Sequence, residues 1–427
     1  FLLGFPLPLF FRIILNSRQF LMFESSTIEL DYSALLNNLK VIRGNLGSDV
    51  LFSSVVKGNA YGHGIVEFVP MAEKAGVTHF SVFSAAEAYL LRSISSSSQV
   101  MIMGHIDNQE IGWAVENEIE FFVFESDRLR AAIDAAKKIK KKAIIHLEYE
   151  TGLNRTGFNK SQLKSVLKLL KENESHLEVR GDCTHYAGAE SIANYVRIKK
   201  QIKRFTQLDQ WIRKSGIHPQ IKHTACSAAA ISYPKSRMDM VRIGILQYGF
   251  WPSKETFIEF LKNRENKVDP LQRVIRWKSK VMDVKDVETG EFIGYGTTFM
   301  APENMKVATV PVGYSHGYSR SLSNQGRVLI RGKRLAVIGI VNMNMLMVDI
   351  SEVPDTQKGD EVILIGDQEG QSVSVASFSE LSNLLNYELL TRLPHNIPRK
   401  VVNLEEDILT KKPQNGLYKA KKKIVTS

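Results

Sequence analysis

The chain has 427 residues, of which 44% are hydrophobic and 24% charged, with a formal net charge of +11. That balance is globular rather than disordered or fibrous, and the length suits two or three domains. The excess lysines lie in solvated stretches such as Lys137–Lys142 and in the tail, without interleaved aromatics or a nucleic-acid motif, which argues against nucleic-acid binding.

Two cysteines, Cys183 and Cys226, exclude a disulfide scaffold and fit a reducing, cytoplasmic setting. No uncharged apolar run is long enough to read as a membrane span. The first residues, FLLGFPLPLFFRIIL, are apolar but carry two prolines and neither a basic leader nor a small-residue cleavage site. Two readings stand for residues 1–21: a signal peptide, or upstream sequence ahead of a native start at Met22. The second is favoured, so residues 1–26 are expected to be an extension outside the folded domains.

From residue 27 to 247, short apolar runs alternate with helix-period segments. The runs are VLFSSVV, HFSVFS, QVMIMG, FFVF, AIIHLEY, LEVRGDCTH, QIKHTAC and MVRIGI. Eight strands alternating with helices suggest a parallel (β/α)8 barrel, with an open doubly wound sheet as the alternative. Residues 248–272 read as a linker with one short helix, and residues 273–402 as a separate strand-rich domain punctuated by turn signals such as RGK. Residues 403–427 form a basic tail. The fold class expected is therefore α/β plus all-β.

Reactive side chains of such a barrel gather at the C-terminal strand ends. Lys57 sits there after the first run, in SVVKGNAYGHG. An amine half-buried among apolar neighbours can lose its proton near neutral pH and attack a carbonyl. The later strand ends bring Glu148, Arg155, His185, Ser227 and Arg242 to the same rim. Each has a plainer reading: an ion pair for Glu148 and Arg155, a core histidine for His185, a helix N-cap for Ser227. Their coincidence on one face is what suggests a site. No metal-ligand pattern is present.

The motifs VVKGNAYGHG, ETGLNRTGF, THYAGAE, HTACSAA, DMVRIGI, VPVGYSHGYSR and NYELLTRLPHNIPR resemble, in order, those of bacterial alanine racemases. The resemblance runs from about Ile28 to Val401 and implies a barrel binding pyridoxal 5'-phosphate, followed by a β-domain. It implies that Lys57 holds the cofactor covalently and serves as one acid/base group, with Tyr314 as the second. His185 and Arg242 would support them, with His185 against Tyr314 and Arg242 facing the cofactor's ring nitrogen. Arginine does not give up its proton, so that nitrogen would stay unprotonated, disfavouring transamination. Tyr61, Ser227, Tyr387 and the amides of Gly244 and Ile245 would hold the phosphate. Arg155 and the Met343 amide would take the substrate carboxylate, and Tyr295 would line the access channel. Tyr314, Tyr295 and Met343 would come from the partner of a homodimer.

Three positions depart from the family pattern. Glu148 stands where many members have a carbamylated lysine, and is expected to hold Arg155 by an ion pair. Gly58 replaces alanine and should only loosen the turn, and Asn344 replaces aspartate. The function implied is racemisation of alanine, supplying D-alanine for the cell wall. The alternatives are a racemase of broader choice (serine or basic amino acids), a decarboxylase on a similar barrel, and a non-enzymatic cofactor carrier. The last two fit VPVGYSHGYSR poorly.

Overall fold

The computed structural model describes residues 24–262, 264–374 and 386–404. The N-terminal extension up to residue 23 and the tail from residue 405 lie outside the described residues.

The first strand, β1 (Ser26–Asp31), buries alternate residues, the pattern of a strand with one face on a core. The following strands are β2 (Leu51–Val55), β3 (His79–Ser84), β4 (Gln99–His105), β5 (Glu120–Val123), β6 (Ala143–Glu148), β7 (Leu177–Cys183), β8 (Ile221–His223) and β9 (Met240–Ile243). These eight are parallel neighbours in the order β8-β7-β6-β5-β4-β3-β2-β9. Most of their apolar residues, such as Phe80, Val82, Ile102, Phe121, Ile145 and Leu147, are fully buried, as the near-continuous hydrophobic runs require. At the remaining seam, between β8 and β9, a bridge joins Cys226 to Arg242, and the Arg242 N–H donates to the Ala225 carbonyl at 3.0 Å. The eight runs found in the sequence are thus the eight strands of a nearly closed barrel.

The helices between them start on local caps. Asp31 accepts from the Ala34 amide, Ser84 from the Glu87 amide, and Asn159 with Gln162 forms a capping box.

The second sheet is built from β10 (Ile275–Lys280), β11 (Asp283–Val287), β12 (Met305–Val310), β13 (Arg327–Ile330), β14 (Lys333–Ile338), β15 (Leu346–Asp349), β16 (Glu361–Gln368), β17 (Gln371–Val373) and β18 (Arg399–Val402). Its order is β11-β12-β15-β14-β13-β16-β10-β1-β18, with β17 beside β16. The RGK signal is the tight β13–β14 turn, where Arg331 (φ 49) and Gly332 (φ 69) both take positive φ. β1 belongs to this sheet, antiparallel to β10 and parallel to β18, although the sequence reading began the barrel at residue 27. Its period of two marks a half-exposed sheet strand, whereas the barrel strands are buried on both faces.

Candidate active site

The C-terminal mouth of the barrel holds a cavity of about 1090 Å³. Its lining includes ten residues singled out in the sequence: Lys57, Tyr61, Glu148, Arg155, His185, Ser227, Arg242, Gly244, Ile245 and Tyr387. They arrive from the ends of β2, β6, β7, β8 and β9, and from the helix at Asn386–Thr391 that covers one side.

Lys57 follows β2 directly, and the chain after it makes a left-handed turn. Gly58, Asn59, Ala60 and Tyr61 have φ of 62, 54, 53 and 52°. Three of these are non-glycine, so the turn is strained and must be held from outside. Glu87 accepts from the Gly58 amide at 2.7 Å and the Asn59 amide at 3.4 Å. Arg399 clamps the far end by donating to the Gly62 carbonyl at 2.9 and 3.2 Å. Below Lys57, Tyr248 Oη and Gln247 Nε2 both donate to the Val55 carbonyl, at 3.0 and 3.1 Å. Glu87, Gln247, Tyr248 and Arg399 were not singled out in the sequence. Their contacts cross 29 to 337 residues of chain, and no local pattern announces them.

The Lys57 side chain is exposed into the cavity. Burial, then the Arg155 charge, lowers its pKa against the opposing pull of Glu87 and Cys226. The neutral, nucleophilic amine is favoured accordingly. Burial pushes His185 down to about 3, assisted by the charges of Arg242, Arg155 and Lys57, so its ring is neutral at physiological pH.

Arg242 is 4% exposed. Its Nη1 donates to His223 Nδ1 at 2.5 Å and the His223 carbonyl at 2.6 Å; Nη2 donates to the carbonyls of Thr184 at 2.9 Å and Thr224 at 3.4 Å. Among the described residues those contacts use the Nη hydrogens only, so Nε–H is the donor left for a ligand. Ser227 is the first helical residue, with Cys226 at the cap position, so the N-cap reading does not hold. Ser227 Oγ accepts from the Gly244 amide at 3.0 Å. A Cβ on Gly244 would lie 2.5 Å from Tyr61 Oη, so this position needs glycine for the close approach. Tyr61 stands edge-on to Tyr387, with ring centroids 6.1 Å apart.

Glu148 differs from expectation. Among the described residues it forms no ion pair with Arg155, and its Oε2 is buried without a hydrogen-bond partner. Its short stem keeps the carboxyl inside the strand end, where burial raises its pKa despite Thr156, Arg242 and Arg155 nearby. Gly58, expected only to loosen the turn, begins the left-handed segment, a conformation glycine adopts without strain.

Tyr314, Met343 and Tyr295 do not line this cavity; they are 42, 56 and 74% exposed on the second domain. Tyr314 and Met343 are nevertheless held side by side. The Tyr314 amide donates to the Asn342 carbonyl at 3.0 Å, and Ser315 donates twice to the Met343 carbonyl. Asn344 Nδ2 donates to Ser315 Oγ at 3.2 Å, in the same loop pair.

A strand-end amine of lowered pKa in the mouth of a nearly closed parallel barrel, with hydroxyl side chains around it and a strand-rich domain after it, defines a TIM-like barrel enzyme. Residues 30–252 match the family described as alanine racemase, N-terminal domain, and residues 274–401 match alanine racemase, C-terminal domain. The alanine racemase of Leptospira interrogans is 34% identical over 383 residues, covering 89% of this chain and 96% of that protein. That of Clostridium perfringens is 33% identical over 373 residues, covering 87% and 94%. The crystal structure of alanine racemase from Bacillus anthracis with bound L-Ala-P superposes with a TM-score of 0.81 at 31% identity, covering 90% of this chain and 96% of that one. The chain belongs to the alanine racemase family.

Proposed function

We propose that this racemase interconverts L- and D-alanine by a two-base mechanism, with pyridoxal phosphate held at Lys57 and each site completed by Tyr314 of a second copy of the chain. The observation that carries the proposal is the division of the expected residues. Nine surround the Lys57 amine in one cavity, while Tyr314 and Met343 are paired and exposed elsewhere on the chain.

The residues fit the cofactor. The lining offers what such a cofactor needs: Lys57 has an amine for its aldehyde, Gly244 leaves the space that Tyr61 Oη occupies, and Ser227 Oγ lies beside it on the Gly244 amide. When bound, the cofactor draws electrons from the substrate Cα and makes its proton removable. Lys57, whose pKa burial and the Arg155 charge lower, takes or returns that proton on one face. Tyr314 does so on the opposite face, taking the proton as phenolate and returning it as phenol, with the neutral ring of His185 as its hydrogen-bond partner. Arg242 would offer its Nε–H to the cofactor's ring nitrogen, and Tyr61, Ser227, Tyr387, Gly244 and Ile245 would hold the phosphate. Arg155 and the Met343 amide orient the substrate carboxylate. Tyr295 guards the channel between the two copies. In the cell this reading places the enzyme in the cytoplasm, making D-alanine for peptidoglycan.

The test is incubation of the purified, cofactor-supplemented protein with each alanine enantiomer in D2O. Both enantiomers should lose their Cα proton and converge on a racemate. Lys57→Ala should abolish exchange together with the yellow absorbance of the lysine-bound cofactor. A protein that takes up no cofactor, or exchanges neither enantiomer, refutes the reading.

A further inference from the structure

Behind Arg242 a line of buried polar groups runs down the barrel axis, away from the cavity. His223 Nδ1 meets Arg242 Nη1 at 2.5 Å, His223 Nε2 meets His146 Nδ1 at 2.8 Å, and His146 Nε2 meets Glu120 Oε2 at 2.8 Å. Glu120, His146 and His223 are 3, 0 and 0% exposed. Glu120 opens β5 at the N-terminal end of the barrel, the end ordinarily associated with stability rather than chemistry.

The proton positions along this line follow from what each group can do. Guanidinium nitrogens only donate, so His223 Nδ1 must accept and carry no hydrogen. Neutral His223 then bears its hydrogen on Nε2 and donates it to His146 Nδ1. His146 in turn bears its hydrogen on Nε2 and donates it to Glu120, which must be an ionised acceptor. Every bond therefore points the same way, from the arginine to the carboxylate. The surroundings agree. Glu120 also receives Arg180 Nη1 at 3.2 Å and lies 3.5 Å from His79 Nε2, whose Nδ1 is bonded to Ser53 Oγ at 2.8 Å. Burial alone would raise the Glu120 pKa, but the bonds from His146 and His79 outweigh it and hold it low. Burial is the leading cause that keeps both relay rings uncharged. Among the described residues Arg242 is paired with no carboxylate, and its other partners are main-chain carbonyls.

We infer that Glu120 is a positioning residue for the reaction: through His146 and His223 it fixes the orientation of Arg242 and balances its charge, so that Nε–H is presented to the cavity. Glu120 touches neither substrate nor cofactor; it acts only along the line. The kinetic consequence rests on the racemase reading, whereas the proton positions do not.

The experiment has two arms, both on the holoenzyme. A neutron crystal structure after exchange into D2O should show deuterium on Nε2 of His146 and His223, none on their Nδ1, and none on Glu120. Deuterium on either Nδ1, or on Glu120, overturns the inference whether or not the protein racemises alanine. In the kinetic arm, E120Q should keep its bound cofactor and its alanine KM within about twofold while kcat falls about tenfold, the lower end for an outer residue that orients a reacting group. E120D, which restores the carboxylate, should recover most of the lost kcat. A loaded E120Q with wild-type kcat and only a lower melting temperature would make Glu120 purely structural and overturn the inference. Should E120Q not fold, the neutron arm still decides.

Discussion

Burial decides the protonation of the groups around the cavity. It drives Lys57 towards the neutral amine and His185 to a neutral ring, and it raises the Glu148 pKa. Lys57 alone reads as an ordinary solvated lysine, and it was legible in the sequence because Glu148, Arg155, His185, Ser227 and Arg242 fall at strand ends on the same rim. The missing Glu148–Arg155 contact was not, because reach depends on where a stem of two methylenes leaves the backbone. At this scale the two-base proposal predicts an asymmetry. Tyr314→Phe should retain the cofactor's yellow absorbance yet slow Cα exchange from one enantiomer by at least about a hundredfold, the contribution expected of a positioned acid/base group. The other enantiomer should still exchange through Lys57. Equal losses for both, with full cofactor binding, would contradict the scheme.

The element that carries the reactive amine is the turn after β2. Left-handed backbone costs an L-residue roughly 1–2 kcal/mol, so Asn59, Ala60 and Tyr61 store strain beside the reactive amine. Glu87 and Arg399 hold it, together with the covering helix at Asn386–Thr391. Gly62 shows how closely that helix sits, for a Cβ there would lie 1.8 Å from the Leu390 carbonyl oxygen, and its φ is +79°. Gly62→Ala should therefore cost roughly 2–4 kcal/mol in denaturant unfolding and weaken cofactor retention, since helix or turn must move. Unchanged stability would show that the turn is not clamped as described. The sequence predicted that a strand ends here and that glycines follow. It did not predict the handedness, because right-handed turns are the default for alanine and tyrosine and only the distant clamps override that preference. The eight barrel strands were legible through their unbroken apolar runs, whereas β1 declared its sheet only through an alternation six residues long.

Across the whole molecule, buried histidines tie stability to pH. Burial is the first cause in each case: His63 and His185 are pushed down to about 3, and His146 and His223 lie below the ordinary 6.5. The unfolded chain binds protons on these rings as pH falls through 6.5, and the folded chain does not, so stability is present above that pH and lost below it. Glu148 and Asp182 act the opposite way, because burial raises both and the folded chain keeps protons that the unfolded chain releases; they offset part of the loss. The melting temperature should fall between pH 6.5 and 5. Replacing His63, whose Nε2 is buried without a partner, by phenylalanine should flatten the acid limb by up to about 1.4 kcal/mol per pH unit. An acid limb unaltered by His63→Phe would show that this ring ionises in the folded state.

The division of the site between one chain's barrel and another's β-domain is the central claim, and subunit mixing tests it most directly. Lys57→Ala and Tyr314→Phe proteins should each be nearly inactive alone. After co-refolding or co-expression, each mixed dimer should carry one intact site and one doubly altered site, restoring roughly a quarter of wild-type activity under random pairing about a two-fold axis. Mixtures no more active than the separate variants, although mixed dimers are present, would contradict shared sites and return Tyr314 to the cavity of its own chain.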